Sequence, residues 1–432
     1  MQSRPIRERG DGHGPIRLPG PRADEGASVP PSLLLSWIAA ARRVCPTLLA
    51  MSALGPVLFG CAPLPAPPAT SVPTATARPL PTSTAPPPPR PTAAPPALSP
   101  ASSPVAVASP RAAIAAPRLP FRVRAAQLGA LSDSGQAVGM ARGYFAEQGL
   151  DLQLVPFSSP SSALAALSAG QLEAASVPIT AELFNALGRG SGLKIVAEAA
   201  GAPPGHAAAG LIVRSDLVGA VRTPTDLRNF RVALPARGGS LEVELAALLK
   251  QGWLARTDVE TIIMPPVEVT AALADGSLDA AMIAEPELSE MENDGLGRVW
   301  RRSDRIVPNH LMAALLFTTR FGTAQPDAAR RYVTAYLRAL RLYNDAFIKA
   351  DSTARNELVQ ILSRSTPISE PAQFDRIALP GMNPNGMVNV QTLRLDQQYF
   401  LATGQQQKEV DLAAVVDAQY AAYAISQLGE YR

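Results

Sequence analysis

Two similar segments of eleven residues, about 106 positions apart, constrain the fold of this chain more than any other feature. They are residues 165–175 (AALSAGQLEAA) and 271–281 (AALADGSLDAA). Each is typical of a helix, a glycine that ends it and a short buried strand, and each follows a strand-like run. We interpret them as parts of two similar α/β lobes. The alternative is that any helix, glycine and strand look alike in an alanine-rich chain.

The elements around the first repeat predict a mainly parallel sheet. Residues 121–128 and 150–157 have the pattern of strands, and residues 136–148 form a helical run that Gly149 ends. Strands that alternate with helices at this spacing are typical of a parallel sheet covered by helices on both faces. The fold class is therefore α/β, with a parallel sheet in each lobe.

Two apolar segments predict how the chain passes between the lobes. Residues 207–214 and 306–318 have the pattern of apolar β segments and flank residues 215–305, and we expect these strands to act as hinges. Lobe I then comprises residues 121–210 and 312–432, and lobe II comprises residues 211–311. The histidines near these segments, His206 and His310, are expected to make structural hydrogen bonds.

Residues 1–60 are typical of a bacterial lipoprotein signal sequence. Arg42 and Arg43 precede an apolar run that is too short and too interrupted by proline for a comfortable membrane span, and Cys61 follows it. We expect lipidation at Cys61, which anchors the protein to the outer face of the cell membrane. An ordinary cleaved signal and an uncleaved anchor are the alternatives, and all three place the rest of the chain outside the cytoplasm.

Residues 61–120 are predicted to be a disordered linker. Proline, alanine, serine and threonine dominate this segment, and residues 62–120 hold 19 of the 43 prolines and no acidic residue. Such a composition buries too little apolar surface to offset the entropy lost on ordering. Its four arginines are dispersed and have no aromatic residues between them, so we expect no nucleic-acid partner.

The composition of residues 121–432 excludes several classes of chemistry. Both cysteines, Cys45 and Cys61, lie before this part, which contains only two histidines and has 28 basic against 32 acidic residues. Zinc clusters and cysteine nucleophiles are therefore excluded, and we expect neither a metal nor a cofactor. The glycine-rich residues 188–192 follow a helix and precede a strand, the reverse of a dinucleotide-binding loop. We therefore expect no enzymatic activity.

Short motifs follow one another through residues 121–432, and their order is more specific than any one of them. They are Gly143-Tyr144-Phe145 with Gly149-Leu150, Ala166-Leu167 with Gly170 and Glu173, Thr225-Asp226-Leu227, Gly238-Gly239-Ser240, Ala272-Leu273 with Gly276 and Asp279, Glu285-Pro286, Asp411, Asp417 and Leu428-Gly429. Together they resemble the ABC-importer solute-binding proteins for aliphatic sulfonates, taurine, nitrate and thiamine-pyrimidine precursors. The resemblance implies a two-lobed, hinged periplasmic-binding-protein fold of type II, with the ligand in the cleft between the lobes. A branch of this family that makes the thiamine pyrimidine carries a cysteine-rich motif, which residues 121–432 lack.

Candidate ligand-binding residues lie where predicted strands end and helices begin. The N–H groups and partial positive charge of a helix N-terminus suit an anionic or strongly polar group. The candidates are Ser132, Asp133, Ser134, Ser158, Ser159, Pro178, Ile179 and Thr180 in lobe I, and Arg237, Gly238, Gly239, Ser240 and Glu285 in lobe II. Simple helix capping by Ser132, Asp133 and Ser240 is the alternative, as is a solvated position for Arg237. Glu285 is expected either to contact a ligand amine or to form a salt bridge between the lobes.

These features predict an extracytoplasmic solute-binding lipoprotein of an ABC importer. It would capture a small organic solute, either a sulfonate-like anion or a thiamine-pyrimidine-like precursor, and pass it as a monomer to the permease and ATPase subunits. A ligand-sensing domain of the same fold for a membrane receptor is the main alternative. A secreted enzyme on this fold is a third.

Overall fold

The computed structural model of the protein describes residues 120–432. The predicted signal sequence, Cys61 and the linker up to residue 119 lie outside this part of the chain. The ten strands of the described part are β1 Phe121–Gln127, β2 Leu150–Pro156, β3 Ala174–Pro178, β4 Leu193–Ala202, β5 Ala209–Arg214, β6 Arg231–Leu234, β7 Glu260–Ile263, β8 Ala280–Ala284, β9 Gly297–Arg302 and β10 His310–Thr318.

Fourteen α-helices accompany these strands within residues 120–432. They are α1 Ser134–Ala141, α2 Tyr144–Glu147, α3 Pro160–Ser168, α4 Ala181–Gly188, α5 Ser240–Gln251, α6 Pro266–Ala274, α7 Glu287–Asn293, α8 Ser303–Ile306, α9 Thr319–Ala324, α10 Pro326–Phe347, α11 Ser352–Leu362, α12 Val390–Ala402, α13 Leu412–Val415 and α14 Gln419–Leu428. None of the helices in this part of the chain is both long enough and apolar enough to cross a membrane.

The strands form two five-stranded sheets with matching topology. Sheet I has the order β2-β1-β3-β10-β4, and sheet II has the order β7-β6-β8-β5-β9. The prediction of two α/β lobes is confirmed, but the sheets are mixed, because β10 and β5 run antiparallel to both of their neighbours. Each of these strands enters its sheet from the other lobe at the edge where the parallel strands end, and therefore runs in the opposite direction. Below, lobe I is the part around sheet I and lobe II the part around sheet II.

Two short connections join the lobes. Residues 203–208 link β4 to β5, and residues 303–309 link β9 to β10. The segments predicted as hinges, 207–214 and 306–318, lie mainly within β5 and β10. An apolar segment of this length satisfies its backbone hydrogen bonds best by joining a sheet, which leaves only the short stretch before each strand as a connection.

The sequence repeat corresponds to equivalent elements of the two lobes. The first copy spans α3 and β3, and the second spans α6 and β8. Its acidic position has the same contact in each copy: Glu173 accepts a hydrogen bond from the Arg124 backbone N–H (2.7 Å), and Asp279 accepts one from the Arg231 backbone N–H (2.9 Å). The repeated acid therefore ties the start of a buried strand to its parallel neighbour.

The helical run predicted over residues 136–148 is divided into two helices. Gly143 has a positive φ of 72° between α1 and α2, a left-handed conformation that costs glycine little. The chain turns there, and Phe145 of α2 reaches the core. Its ring centroid lies 4.9 Å from that of Tyr332 on α10, the long helix that packs on sheet I.

Candidate functional site

A cavity of about 380 Å³ lies between the lobes, and we call it the central cavity. In lobe I it is lined by the segment before α1 and by residues of β3, β4 and β10 near the connections. Lobe II contributes the starts of β5, α5 and α7. Residues 367, 368 and 380, between α11 and α12, complete the wall. A molecule in the central cavity would therefore contact both lobes and the C-terminal segment at the same time.

A second cavity of about 440 Å³, the lateral cavity, lies beside the first. The lobes are bonded to each other along its wall: Thr180 and Gly239 form an antiparallel bridge, and the Ala181 N–H donates to the Gly238 carbonyl (2.8 Å). The Ser240 hydroxyl donates to the Ile179 carbonyl (3.1 Å). The backbone at this wall is thus already used to join the lobes.

The predicted site residues are divided between these cavities and the structure beneath them. Ser132, Pro178 and Glu285 line the central cavity. Pro178 also lines the lateral cavity, together with Ile179, Thr180, Arg237, Gly238, Gly239 and Ser240. Ser158, Ser159, Asp133 and Ser134 line neither of the two. Ser158 is exposed, and Ser159 caps α3 by accepting a hydrogen bond from the Ser162 N–H.

Asp133 and Ser134 stabilise the loop that carries Ser132. The buried Asp133 carboxylate accepts hydrogen bonds from the backbone N–H groups of Leu128 (2.7 Å) and Ala130 (3.2 Å). Burial raises the pKa of Asp133 to about 6, and these hydrogen bonds oppose the increase. The Ser134 hydroxyl donates to the Leu131 carbonyl (2.6 Å). Both side chains shape the wall of the central cavity from behind.

Glu285 connects lobe II to the C-terminal segment. Its buried carboxylate forms a salt bridge with Arg302 (2.9 Å) and accepts hydrogen bonds from the backbone and hydroxyl of Ser289. It also accepts a hydrogen bond from the Ala378 N–H (3.2 Å). The predicted salt bridge between the lobes is therefore replaced by one within lobe II, because Arg302 at the end of β9 is the nearer cation.

Glu287 also lines the central cavity and is not among the site residues predicted from the sequence. Burial raises the pKa of its carboxyl, and so do the negative charges of Glu290 and Glu285, whereas a hydrogen bond from its own backbone N–H lowers it. The signal in the sequence was its position, two residues after Glu285 at the end of a buried strand. Glutamate in the first turn of a helix is so common that this position alone did not indicate a ligand.

A buried cluster joins the two lobes beside the second connection. His310, the first residue of β10, contacts Glu244 of α5 through Nδ1 (2.8 Å) and Asp396 of α12 through Nε2 (2.9 Å). Burial alone would lower the pKa of His310, but the charge of Asp396 and the hydrogen bonds with both carboxylates raise it to about 10. His310 is therefore a buried imidazolium that binds lobe II to lobe I.

Residues 128–363 match the sequence profile of the NMT1-like family, which covers more than half of the chain. The chain belongs to the NMT1-like family. No curated protein matches it by sequence. Within residues 120–432, no group of three or more His, Cys, Asp or Glu side chains could hold a metal ion.

Solved structures of the same fold include binding proteins and an enzyme. The alkanesulfonate-binding protein SsuA from Xanthomonas axonopodis, bound to MOPS, is 21% identical with a TM-score of 0.53, covering 69% of this chain and 99% of its own. The periplasmic nitrate-binding protein NrtA from Synechocystis is 15% identical with a TM-score of 0.53, covering 72% and 89%. A mutant of DszB bound to biphenyl-2-sulfinic acid is 14% identical with a TM-score of 0.53, covering 71% and 99%, and DszB is a desulfurization enzyme. These likenesses confirm the predicted two-lobed fold.

Proposed function

We propose that the protein is an extracytoplasmic solute-binding protein of an ABC importer that holds a small organic solute in the central cavity. The position of this cavity carries the proposal, because its wall is formed by both lobes and by the C-terminal segment. A solute there makes contacts that exist only when the lobes are close together, so binding favours the closed state. Two of the three related structures above belong to binding proteins, which supports the same function.

The two connections between the lobes suit this mechanism. Residues 203–208 and 303–309 are short and leave each sheet intact, and the Gly205 N–H of the first donates to the Asp304 carboxylate of the second (2.8 Å). The lobes can therefore rotate about this pair of connections as rigid bodies. The cluster around His310 lies beside the second connection and would keep the lobes together in both states. The permease and ATPase subunits would then recognise the closed protein as a monomer.

A thermal-shift screen with MOPS, taurine, nitrate, pyrimidines, flavins and simple amines tests solute binding. At a concentration of 100 times Kd, a ligand adds about 2.7 kcal/mol to the free energy of unfolding. Ala284→Trp, at an exposed alanine on the cavity wall, should abolish the shift. Ala271→Trp is the matched control, because Ala271 is an exposed residue of α6 that does not line the central cavity.

Small-angle scattering then measures closure with each compound that binds. We expect the radius of gyration to fall for the wild type and for Ala271→Trp, and to stay constant for Ala284→Trp. The proposed function fails if no compound raises the melting temperature and none reduces the radius of gyration. It also fails if Ala284→Trp binds every compound as tightly as the wild type does.

The proposal includes a lipid anchor at Cys61, with residues 62–119 as the tether. Cys61→Ser should move the protein from the membrane fraction to the soluble extracytoplasmic fraction, whereas Cys45→Ser, inside the predicted signal sequence, should not. Metabolic labelling with a fatty acid should mark the wild type and Cys45→Ser only. Retention of Cys61→Ser in the membrane fraction, with no label on the wild type, would contradict the anchor.

A further inference from the structure

The wall of the central cavity has an unusual composition for a site that would hold an anion. Its side chains are mostly those of alanine, proline, leucine, isoleucine and methionine, with two serines. Of the described residues that line it, none is Lys, Arg, His, Phe, Tyr or Trp, and the charged ones are Glu285 and Glu287. The wall therefore offers no side-chain cation to a sulfonate and no aromatic ring to a flat heterocycle.

Carboxylates of the chain itself accept N–H groups near three of the helix starts at the cleft. Asp133 accepts the N–H groups of the loop before α1, and Glu285 accepts the Ser289 N–H in α7. At the start of α5, Glu242 accepts the Gly238 N–H (2.7 Å). An anion in the cleft would have to displace these carboxylates or lie beside them, which is unfavourable at short distance.

The two carboxylates of the cavity wall differ in their surroundings. Glu285 has the guanidinium of Arg302 at 2.9 Å and three further hydrogen bonds. Glu287 forms no salt bridge within residues 120–432, and the charges that act on its carboxyl are those of Glu290 and Glu285. Glu287 is therefore a half-buried carboxylate at the cavity wall that has no counterion in the described part of the chain.

We propose that the central cavity binds an aliphatic or alicyclic amine, whose ammonium group pairs with Glu287 and whose hydrocarbon body fills the apolar wall. The ammonium supplies the counterion that Glu287 lacks, and a charge-assisted hydrogen bond is stronger than a neutral one. The hydrocarbon body gains contact with both lobes without needing a stacking surface. The volume of about 380 Å³ suits a small molecule of this type. This inference rests on the proposed function and names its solute class.

Three compounds that share a cyclohexyl ring and differ in the head group show which head group the cavity prefers. They are cyclohexylammonium, cyclohexanol and cyclohexanesulfonate. Titration calorimetry on the full-length protein should give the tightest binding for cyclohexylammonium, with cyclohexanesulfonate at least tenfold weaker. Glu287→Gln should weaken cyclohexylammonium binding by at least tenfold and leave cyclohexanol binding unchanged. Glu268→Gln, an exposed glutamate of α6 in the same lobe, makes the same change in net charge and should leave all three affinities unchanged.

Two results would overturn the assignment. One is a sulfonate that binds as tightly as the amine, and the other is an amine affinity that Glu287→Gln does not change. If MOPS or nitrate binds and closes the lobes while cyclohexylammonium does not bind, the solute class is wrong and the proposed function remains supported. If no compound of the wider screen binds, both proposals fail. The melting temperature of unliganded Glu287→Gln reports separately whether the variant is folded.

Discussion

Replacing Asp396 by asparagine would remove one of the two negative charges that surround the buried imidazolium of His310. Asp396 lies 2.9 Å from His310 Nε2, and Glu244 lies 2.8 Å from His310 Nδ1. All three side chains have no solvent exposure, so water does not screen their charges. Asparagine preserves the volume and an acceptor oxygen, and the substitution therefore tests the charge of Asp396 alone.

The expected loss follows from the geometry of this cluster. Removal of one partner of a buried ion pair costs about 3–5 kcal/mol. The lower value applies here, because Glu244 keeps its contact with His310 and asparagine can still accept a hydrogen bond. With an unfolding entropy of about 2.1 cal/mol/K per residue over roughly 300 residues, a loss of about 3 kcal/mol lowers Tm by about 5 °C.

The stabilisation that the His310 cluster provides should depend on pH. The pKa of His310 in the folded protein, about 10, lies above its ordinary value of 6.5. The stability from the imidazolium is therefore fully present below about pH 6.5 and disappears as the pH rises through 10. The difference in Tm between the wild type and Asp396→Asn should accordingly be largest near pH 6 to 7 and shrink towards pH 10.

Thermal unfolding followed by circular dichroism measures this difference. Asp294→Asn, at an exposed position after α7, is the matched control and should shift Tm by about 1 °C or less. If Asp396→Asn shifts Tm no more than this control at pH 7, His310 is not stabilised by paired carboxylates. A difference that stays constant from pH 6 to 10 would refute the imidazolium itself.

Three further predictions concern a close contact in the core, a buried carboxyl group and a helix cap. Gly135→Ala should lower the unfolding free energy by about 1–3 kcal/mol, because its Cβ would overlap the Tyr336 ring. Gly219→Ala, which adds a Cβ in open space, should be near neutral in the same thermal unfolding experiment. Burial raises the pKa of Glu198 from 4.5 to about 7, so the unfolding free energy of the wild type falls as the pH rises through this range. Relative to the wild type, the unfolding free energy of Glu198→Gln should rise by about 3 kcal/mol between pH 5 and 8. A difference in unfolding free energy that does not grow with pH would contradict this prediction. Thr180→Ala should cost about 1 kcal/mol in chemical unfolding, because the hydroxyl caps α4, and Thr180→Ser should retain most of it.

The sequence by itself determined the fold class and its duplication. The repeat at positions 165 and 271 identified equivalent helix, glycine and strand segments, because these elements depend on local periodicity and on residues close together in the chain. Glu173 and Asp279 occupy the same position of the two repeated segments and make the same backbone contact in both lobes. The sequence did not predict that β5 and β10 run antiparallel to their neighbours, because the direction of a strand depends on the side from which the chain enters the sheet.

Only the tertiary structure decided which side chains meet in the cleft. Arg302 neutralises the Glu285 carboxylate and the Ala378 N–H donates to it, so the structure decides between the ligand contact and the salt bridge that the sequence left open. Glu287, two residues further along, keeps its charge unpaired within the described part of the chain. A sequence shows which groups carry charge, but pairing depends on distances of a few ångströms between distant segments, which only the packed lobes define.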